Sequence, residues 1–268
     1  MILVNGQPGG CILPTDRGLS YGDGVFRTLR VVAGEVRYWP QQYDHLAADA
    51  ARLGIAVPDR ELLAGELAVA RGNALDGVSK ILLTRGVGPR GYAPPVEPVV
   101  TRVVSFGNLP EWPRHWQTEG VAVHLCQLRL AHQPRLAGIK HLNRLEQVLA
   151  RAEWQTPGIA EGILLDQDGW LVSGTMSNLL LWRDGALLTP RLDRCGVAGL
   201  TRDLLLTQAA QHGIPVREDR LLLEDLLEAD EVMLCNSVFG VWQVRHLESR
   251  DWNRGNRVDQ LRGWLENP

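Results

Sequence analysis

Residues 25 to 32, Val-Phe-Arg-Thr-Leu-Arg-Val-Val, and 35 to 39, Glu-Val-Arg-Tyr-Trp, intersperse apolar and polar positions at strand spacing. The Ala33-Gly34 pair between them predicts a hairpin turn. Tyr43, Leu46, Ala47, Ala50 and Leu53 then recur at helical spacing and stop at Gly54. Leu62, Leu63, Leu67 and Ala70 predict a second helix over residues 58 to 70. Strands are expected at 79–84 and 99–106. Between them Arg85-Gly86-Val87-Gly88-Pro89-Arg90-Gly91-Tyr92-Ala93-Pro94-Pro95 can hold no regular structure and reads as a loop. Upstream, residues 2–5 and 11–13 are expected to pair around Gly6-Gln7-Pro8-Gly9-Gly10, and 16–26 reads as a glycine-rich loop.

In the second half, strands are predicted at 121–127, 162–165, 179–182, 186–189, 231–235 and 241–244, with turns at Asp168-Gly169 and Asp184-Gly185. Leu142, Leu145, Leu149 and Ala152 predict an amphipathic helix that starts at Lys140. Leu204, Leu205 and Ala209 predict another that starts at Leu200. Strands and helices interleave, yet with hairpins, so the pattern predicts a two-domain α+β chain with mixed or antiparallel sheets and flanking helices. The Leu109-Pro110-Glu111-Trp112-Pro113 run marks a linker at 109–116, between an N-terminal domain over 1–108 and a C-terminal domain over 117–268. On this reading the second domain carries Lys140 and the helix at Leu200.

Composition narrows the function classes. A chain of 268 residues with 45% hydrophobic residues and a net charge of −3 has no basic run suited to nucleic acid. No apolar stretch approaches the roughly 20 residues of a membrane span, and the N-terminus has no basic leader. Cys11, Cys126, Cys195 and Cys235 are scattered, so neither a metal site nor a disulfide framework is expected. A soluble cytoplasmic protein is the expectation.

Charge chemistry points to one residue. Lys140 and Lys80 are the only lysines, every other fixed cation being arginine. A desolvated lysine can lose its proton, whereas arginine cannot. On spacing alone Lys140 reads equally well as a surface side chain reaching for solvent. Gly196-Val197-Ala198-Gly199-Leu200-Thr201-Arg202 places free amides and a hydroxyl at a helix start, the chemistry of a phosphate cradle. Asn236-Ser237 offers a second hydroxyl at a strand end. An amine, a phosphate cradle and a second hydroxyl together suggest a phosphorylated aldehyde held as a Schiff base, and pyridoxal 5'-phosphate is such a molecule.

The chain resembles the class IV (fold type IV) pyridoxal-phosphate enzymes and, within them, the aminodeoxychorismate lyase family. The likeness runs through Asp16-Arg17-Gly18, Tyr21-Gly22-Asp23-Gly24-Val25-Phe26, Arg85-Gly86, Arg90-Gly91-Tyr92, Ala137-Gly138-Ile139-Lys140-His141-Leu142-Asn143-Arg144-Leu145-Glu146, Ser177-Asn178-Leu179, Gly199-Leu200-Thr201-Arg202 and Ala229 to Asn236. It implies that Lys140 bonds the cofactor and moves protons, and that Leu200 (through its amide), Thr201 and Ser237 hold the phosphate. It implies that Thr28 assists proton transfer, although Thr28 also reads simply as a β-branched strand residue. It makes Arg90, with Tyr92 beside it, the candidate for a substrate carboxylate, and gives Asn236 a substrate or cofactor contact. A homodimer is implied as well.

Two positions depart from the family pattern. His45 stands where the class has an arginine for the phosphate, and Ser173 stands where it has a glutamate for the pyridine nitrogen. A serine hydroxyl either donates to a neutral ring nitrogen or accepts from a protonated one, and supports a weaker electron sink than a carboxylate does. Elimination suffers less from this than transamination, because a leaving group carries the electrons away. The resemblance therefore implies conversion of 4-amino-4-deoxychorismate to p-aminobenzoate and pyruvate, in folate biosynthesis. The alternatives are a class IV aminotransferase acting on D- or branched-chain amino acids and a catalytically impaired relic.

Overall fold

The structure is a computed structural model and describes residues 1–266. The chain divides into two compact units, Met1–Pro110 with Ile139–Asn143, and Glu111–Gly138 with Arg144–Pro268. The division after Pro110 falls within the expected linker. Lys140, expected within 117–268, groups with the first unit. The last two residues of that expected domain lie outside the described ones.

The first unit runs β1 (Ile2–Val4), β2 (Gln7–Pro8), α1 (Arg17–Tyr21), β3 (Gly24–Val32), β4 (Glu35–Val36), α2 (Trp39–Arg52), α3 (Arg60–Arg71), β5 (Gly77–Thr84) and β6 (Thr101–Gly107). Its six strands form an antiparallel sheet in the order β2-β1-β6-β5-β3-β4. One sheet face sends Leu29, Ile81, Leu83 and Val104 into a core closed by Leu46 and Ala50 of α2 and Leu63, Leu67 and Ala70 of α3. Three local expectations change. The first hairpin turns on Asn5-Gly6, both at positive φ, so its second strand is Gln7–Pro8 rather than 11–13. Asp16 accepts from the Gly18 amide at 2.8 Å, which caps a short helix inside the expected loop. Tyr38 turns left-handed at φ 56, which ends β4 early and makes Trp39 the first residue of α2.

The second unit runs α4 (Arg114–Thr118), β7 (Val121–Leu130), α5 (Leu145–Arg151), β8 (Ile159–Asp166), β9 (Leu171–Gly174), β10 (Asn178–Arg183), β11 (Ala186–Pro190), α6 (Leu200–Gln211), β12 (Val216–Asp219), α7 (Leu223–Leu227), β13 (Glu231–Asn236), β14 (Gly240–Leu247), β15 (Arg250–Asp251) and α8 (Arg257–Glu266). Its mixed sheet follows β12-β11-β10-β13-β14-β7-β8-β9, with β15 beside β14. The β11/β12, β14/β7 and β7/β8 pairs are parallel. Leu205 of α6 and Leu261 of α8 pack with Leu180, Trp182 and Met233 of the sheet. The expected helix at Lys140 begins only at Leu145, and its apolar positions do not face a core: Leu145, Val148 and Leu149 are 75%, 60% and 61% exposed. Among the described residues no helix is long and apolar enough to cross a membrane, and no group of side chains could hold a metal ion. All four cysteines are free thiols.

Candidate active site

In the first unit the site grows from an incomplete sheet edge. β4 pairs only with Val31 and Val32 of β3, which leaves the beginning of β3 open on that side. Ile139–Asn143 occupies it: the Phe26 amide donates to the Lys140 carbonyl at 3.0 Å, the Leu142 amide donates to Gly24 at 2.9 Å, and Val25 bridges His141. Ile139 is fully buried in the core beneath. The Lys140 amide donates to Asp49 Oδ2 at 3.0 Å, and the same oxygen takes Arg27 Nη2 at 2.5 Å. Backbone bonds on both sides of Lys140, one of them to a buried ion pair, fix where its side chain begins.

Lys140 Nζ stands 4.6 Å from the centroid of the Phe26 ring. Phe26 and Thr28 share the sheet face opposite the core, since successive strand residues alternate, and Thr28 lies directly across from Lys80 on β5. His45 sits half-buried on α2, and its carbonyl accepts from Arg27 at 3.0 Å.

A buried charge cluster shapes the loop that bears Arg90 and Tyr92. Asp23 receives Arg17 Nε at 2.8 Å and Arg85 Nε at 2.8 Å. Burial pushes the Asp23 carboxyl upward, but the hydrogen bonds and charges of Arg85 and Arg17 outweigh this and hold it below its ordinary value. Arg17 also donates to the carbonyls of Gly91, Tyr92 and Ala93 at 3.0, 2.9 and 3.2 Å, and Tyr21 Oη accepts from the Gly91 amide. Arg90 and Tyr92 are thereby exposed on a loop whose backbone is clamped, with Tyr92 at 85% exposure.

The second unit carries the remaining candidates. At the start of α6, Gly199 lies so close to Asn178 that a Cβ there would sit 2.3 Å from its Oδ1, so any larger residue would have to displace the Asn178 amide. Gly199 offers no side-chain cap, and the first turn of the helix leaves its amides, those of Leu200 and Thr201 included, without intrahelical acceptors. Thr201 Oγ1 and Ser237 Oγ are 3.2 Å apart. Arg202, in the same motif, is committed elsewhere: it is buried and paired with Glu218 and Asp203. Asn236 is largely used in local structure, its Oδ1 accepting from the amides of Val238 and Phe239 and its Nδ2 donating to the Met176 carbonyl.

Ser173 lies on β9, a strand the sequence pattern did not reveal, and is 7% exposed. Its hydroxyl donates to the Gly174 carbonyl at 2.8 Å, so toward any further partner it presents lone pairs and acts as an acceptor. The nearby buried carboxylate is Glu161 on β8. It accepts from the amides of Gly162, Thr175 and Met176 at 2.9, 3.0 and 3.0 Å, from Ser177 Oγ at 2.9 Å and from Thr175 Oγ1. Sequence reasoning missed Glu161 and the Arg27–Asp49 pair because tertiary packing, of a turn against β8 and of α2 against β3, gives them their partners, and no motif marks it.

Each unit by itself holds chemistry that suits pyridoxal phosphate: in the first, an amine held against an aromatic ring; in the second, a helix start whose first-turn amides lack intrahelical acceptors, two hydroxyls beside it, and the buried Ser173 hydroxyl. A family model described as amino-transferase class IV matches residues 24–247, and the chain belongs to that family. Over its whole length it is 45% identical to the 4-amino-4-deoxychorismate lyase from Pseudomonas aeruginosa, covering 98% of that chain with a TM-score of 0.95. The aminodeoxychorismate lyase of Vibrio harveyi is 37% identical over 97% of this chain and 94% of its own. A D-alanine aminotransferase of Listeria monocytogenes is 30% identical over 92% of this chain and 86% of its own. The branched-chain amino acid aminotransferase of Escherichia coli, 24% identical over 97% of this chain and 90% of its own at a TM-score of 0.84, shares the fold, which is type IV.

Proposed function

We propose that this chain is a pyridoxal-phosphate-dependent aminodeoxychorismate lyase, converting 4-amino-4-deoxychorismate to p-aminobenzoate and pyruvate for folate synthesis. The observation that carries the reading is the end-to-end likeness to the Pseudomonas aeruginosa enzyme, at 45% identity. The cofactor, when bound, supplies an aldehyde for amines and a ring that accepts electron density. Lys140 would hold the aldehyde. Its amine, when free, would take the proton from the amine-bearing ring carbon of the substrate. Loss of that proton and of the neighbouring enolpyruvyl ether leaves an aromatic product. Thr28, on the face that Phe26 shares, assists the proton transfer.

Leu200, through its amide, Thr201 and Ser237 hold the phosphate, and His45 contributes a donor where the class has arginine. Ser173, whose hydroxyl proton is given to the Gly174 carbonyl, would serve as an acceptor for the ring nitrogen. Arg90 and Tyr92 serve the substrate side, with Arg90 taking a carboxylate; Asn236 borders the same substrate. Ser173 also supports the lyase over the aminotransferase reading, because it is a weaker partner for a protonated ring than a carboxylate. The exposed Leu145, Val148 and Leu149 of α5 support a homodimer, which light scattering would report as twice the chain mass. The four free thiols suit a reducing compartment, and the proposal places the enzyme in the cytoplasm.

The test couples chorismate, the upstream aminating synthase and glutamine to this protein and measures p-aminobenzoate. Wild type should form it and Lys140→Ala should not. Conversion of the cofactor to its pyridoxamine form by amino donors, without p-aminobenzoate, would instead select the aminotransferase. Failure of borohydride to trap the cofactor on Lys140 would leave only a relic.

A further inference from the structure

Both lysines of the chain converge on one aromatic ring. Lys80 Nζ lies 4.8 Å from the centroid of Phe26, and Lys140 Nζ lies 4.6 Å from it. Laid end to end, those distances keep the two nitrogens within 9.4 Å of each other. Lys80 reaches the ring from β5, where it stands opposite Thr28 on β3 and Ser105 on β6, both neutral. Its neighbours along the same strand face, Val78 and Leu82, are apolar. Among the described residues no carboxylate pairs with Lys80, although it is half-buried.

We propose that Lys80 is a positioning residue for proton transfer: its charge, placed beside the same Phe26 ring, holds the Lys140 amine in its neutral, proton-accepting form by repulsion. The ring's negative face attracts each ammonium, so both are drawn to one place. There the charge on Lys80 disfavours a second charge on Lys140, the arrangement by which a neighbouring cation activates an amine. The other charged or titratable groups on the elements around the pair are Arg27 and Arg30 on β3, Tyr43, Asp44, His45, Asp49 and Arg52 on α2, Arg102 on β6, and His141. Of the two carboxylates Asp44 is exposed, and Asp49 Oδ2 is already taken by Arg27 and by the Lys140 amide. A unit charge at this range, partly screened by salt, shifts a protonation equilibrium about three- to tenfold. The inference rests on the lyase reading for its purpose, but its test does not.

With only two lysines, trace acetylation of the full chain freed of cofactor reads each amine separately by mass spectrometry across a pH series. Lys80→Met and Lys80→Gln should slow labelling of Lys140 about three- to tenfold on the acid side of its profile, while Lys80→Arg should label as wild type. High salt should move the wild-type profile toward that of Lys80→Met, a comparison that needs no variant. In the loaded enzyme, the pH midpoint of the visible absorbance should rise in Lys80→Met and not in Lys80→Arg. Equal labelling in all forms would overturn the coupling. Lys80→Arg behaving like Lys80→Met would assign Lys80 to packing. Failure of borohydride trapping would overturn the lyase reading and leave the labelling result standing.

Discussion

Asp49 joins the buried core of the first unit to the placement of Lys140, and its replacement separates stability from function. Its carboxylate binds Arg27 with both side chains under a tenth exposed, and accepts the Lys140 amide at 3.0 Å. Asp49→Ala removes the counter-charge of a buried guanidinium, a change that costs about 3–5 kcal/mol in comparable pairs. The His45 carbonyl still accepts from Arg27, so about 3 kcal/mol is expected. The double variant Arg27→Met/Asp49→Leu replaces the pair with apolar groups and should recover to within about 1 kcal/mol of wild type. It still lacks the acceptor for the Lys140 amide, so its turnover should stay low. Urea unfolding followed by circular dichroism measures the first quantity, and p-aminobenzoate release measures the second. A loss below about 1 kcal/mol for Asp49→Ala, or full activity in the double variant, would refute the reasoning.

Three further outcomes are expected. The folded Asp23 carboxyl is held below its ordinary value, so its stabilisation is complete above the ordinary carboxylate range and fades as pH falls through the lowered value. Asp23→Asn should remove that acid dependence and speed proteolysis within residues 86–95 at neutral pH. Glu161→Gln replaces one accepting oxygen with a donor facing amides and hydroxyls, and should cost about 1–3 kcal/mol by urea unfolding. Burial pushes the thiols of Cys126, Cys195 and Cys235 up to about 12, so a thiol reagent at pH 8 should modify Cys11 alone in the native protein and all four in denaturant.

Most strands and the long helices were legible because burial on one face imposes a period. The Ala33-Gly34 turn, α2, α3 and α6 could be read this way. Lys140 was legible as chemistry, an amine among arginines, but not as structure. Its neighbours have helical spacing, yet residues 140–142 are held by backbone bonds to β3, and tertiary pairing overrides local preference. The spacing of Leu145 and Leu149 was real, but periodicity records which side chains share a face and not whether that face is covered. Lys80 was visible as the second lysine, yet only the pairing of β3 with β5 brings it to Phe26. Ser173 could be aligned by motif, whereas the direction of its hydroxyl depends on Gly174.

The five residues Ile139–Asn143 have a consequence for biosynthesis. The amino-terminal unit cannot finish its sheet until a stretch made almost thirty residues after its own boundary has emerged. A nascent chain that has reached only Pro110 exposes a bare strand margin and an unfilled hole where Ile139 belongs. Lys140, to which the proposal gives turnover, is thus also among the last pieces to complete the unit that houses it.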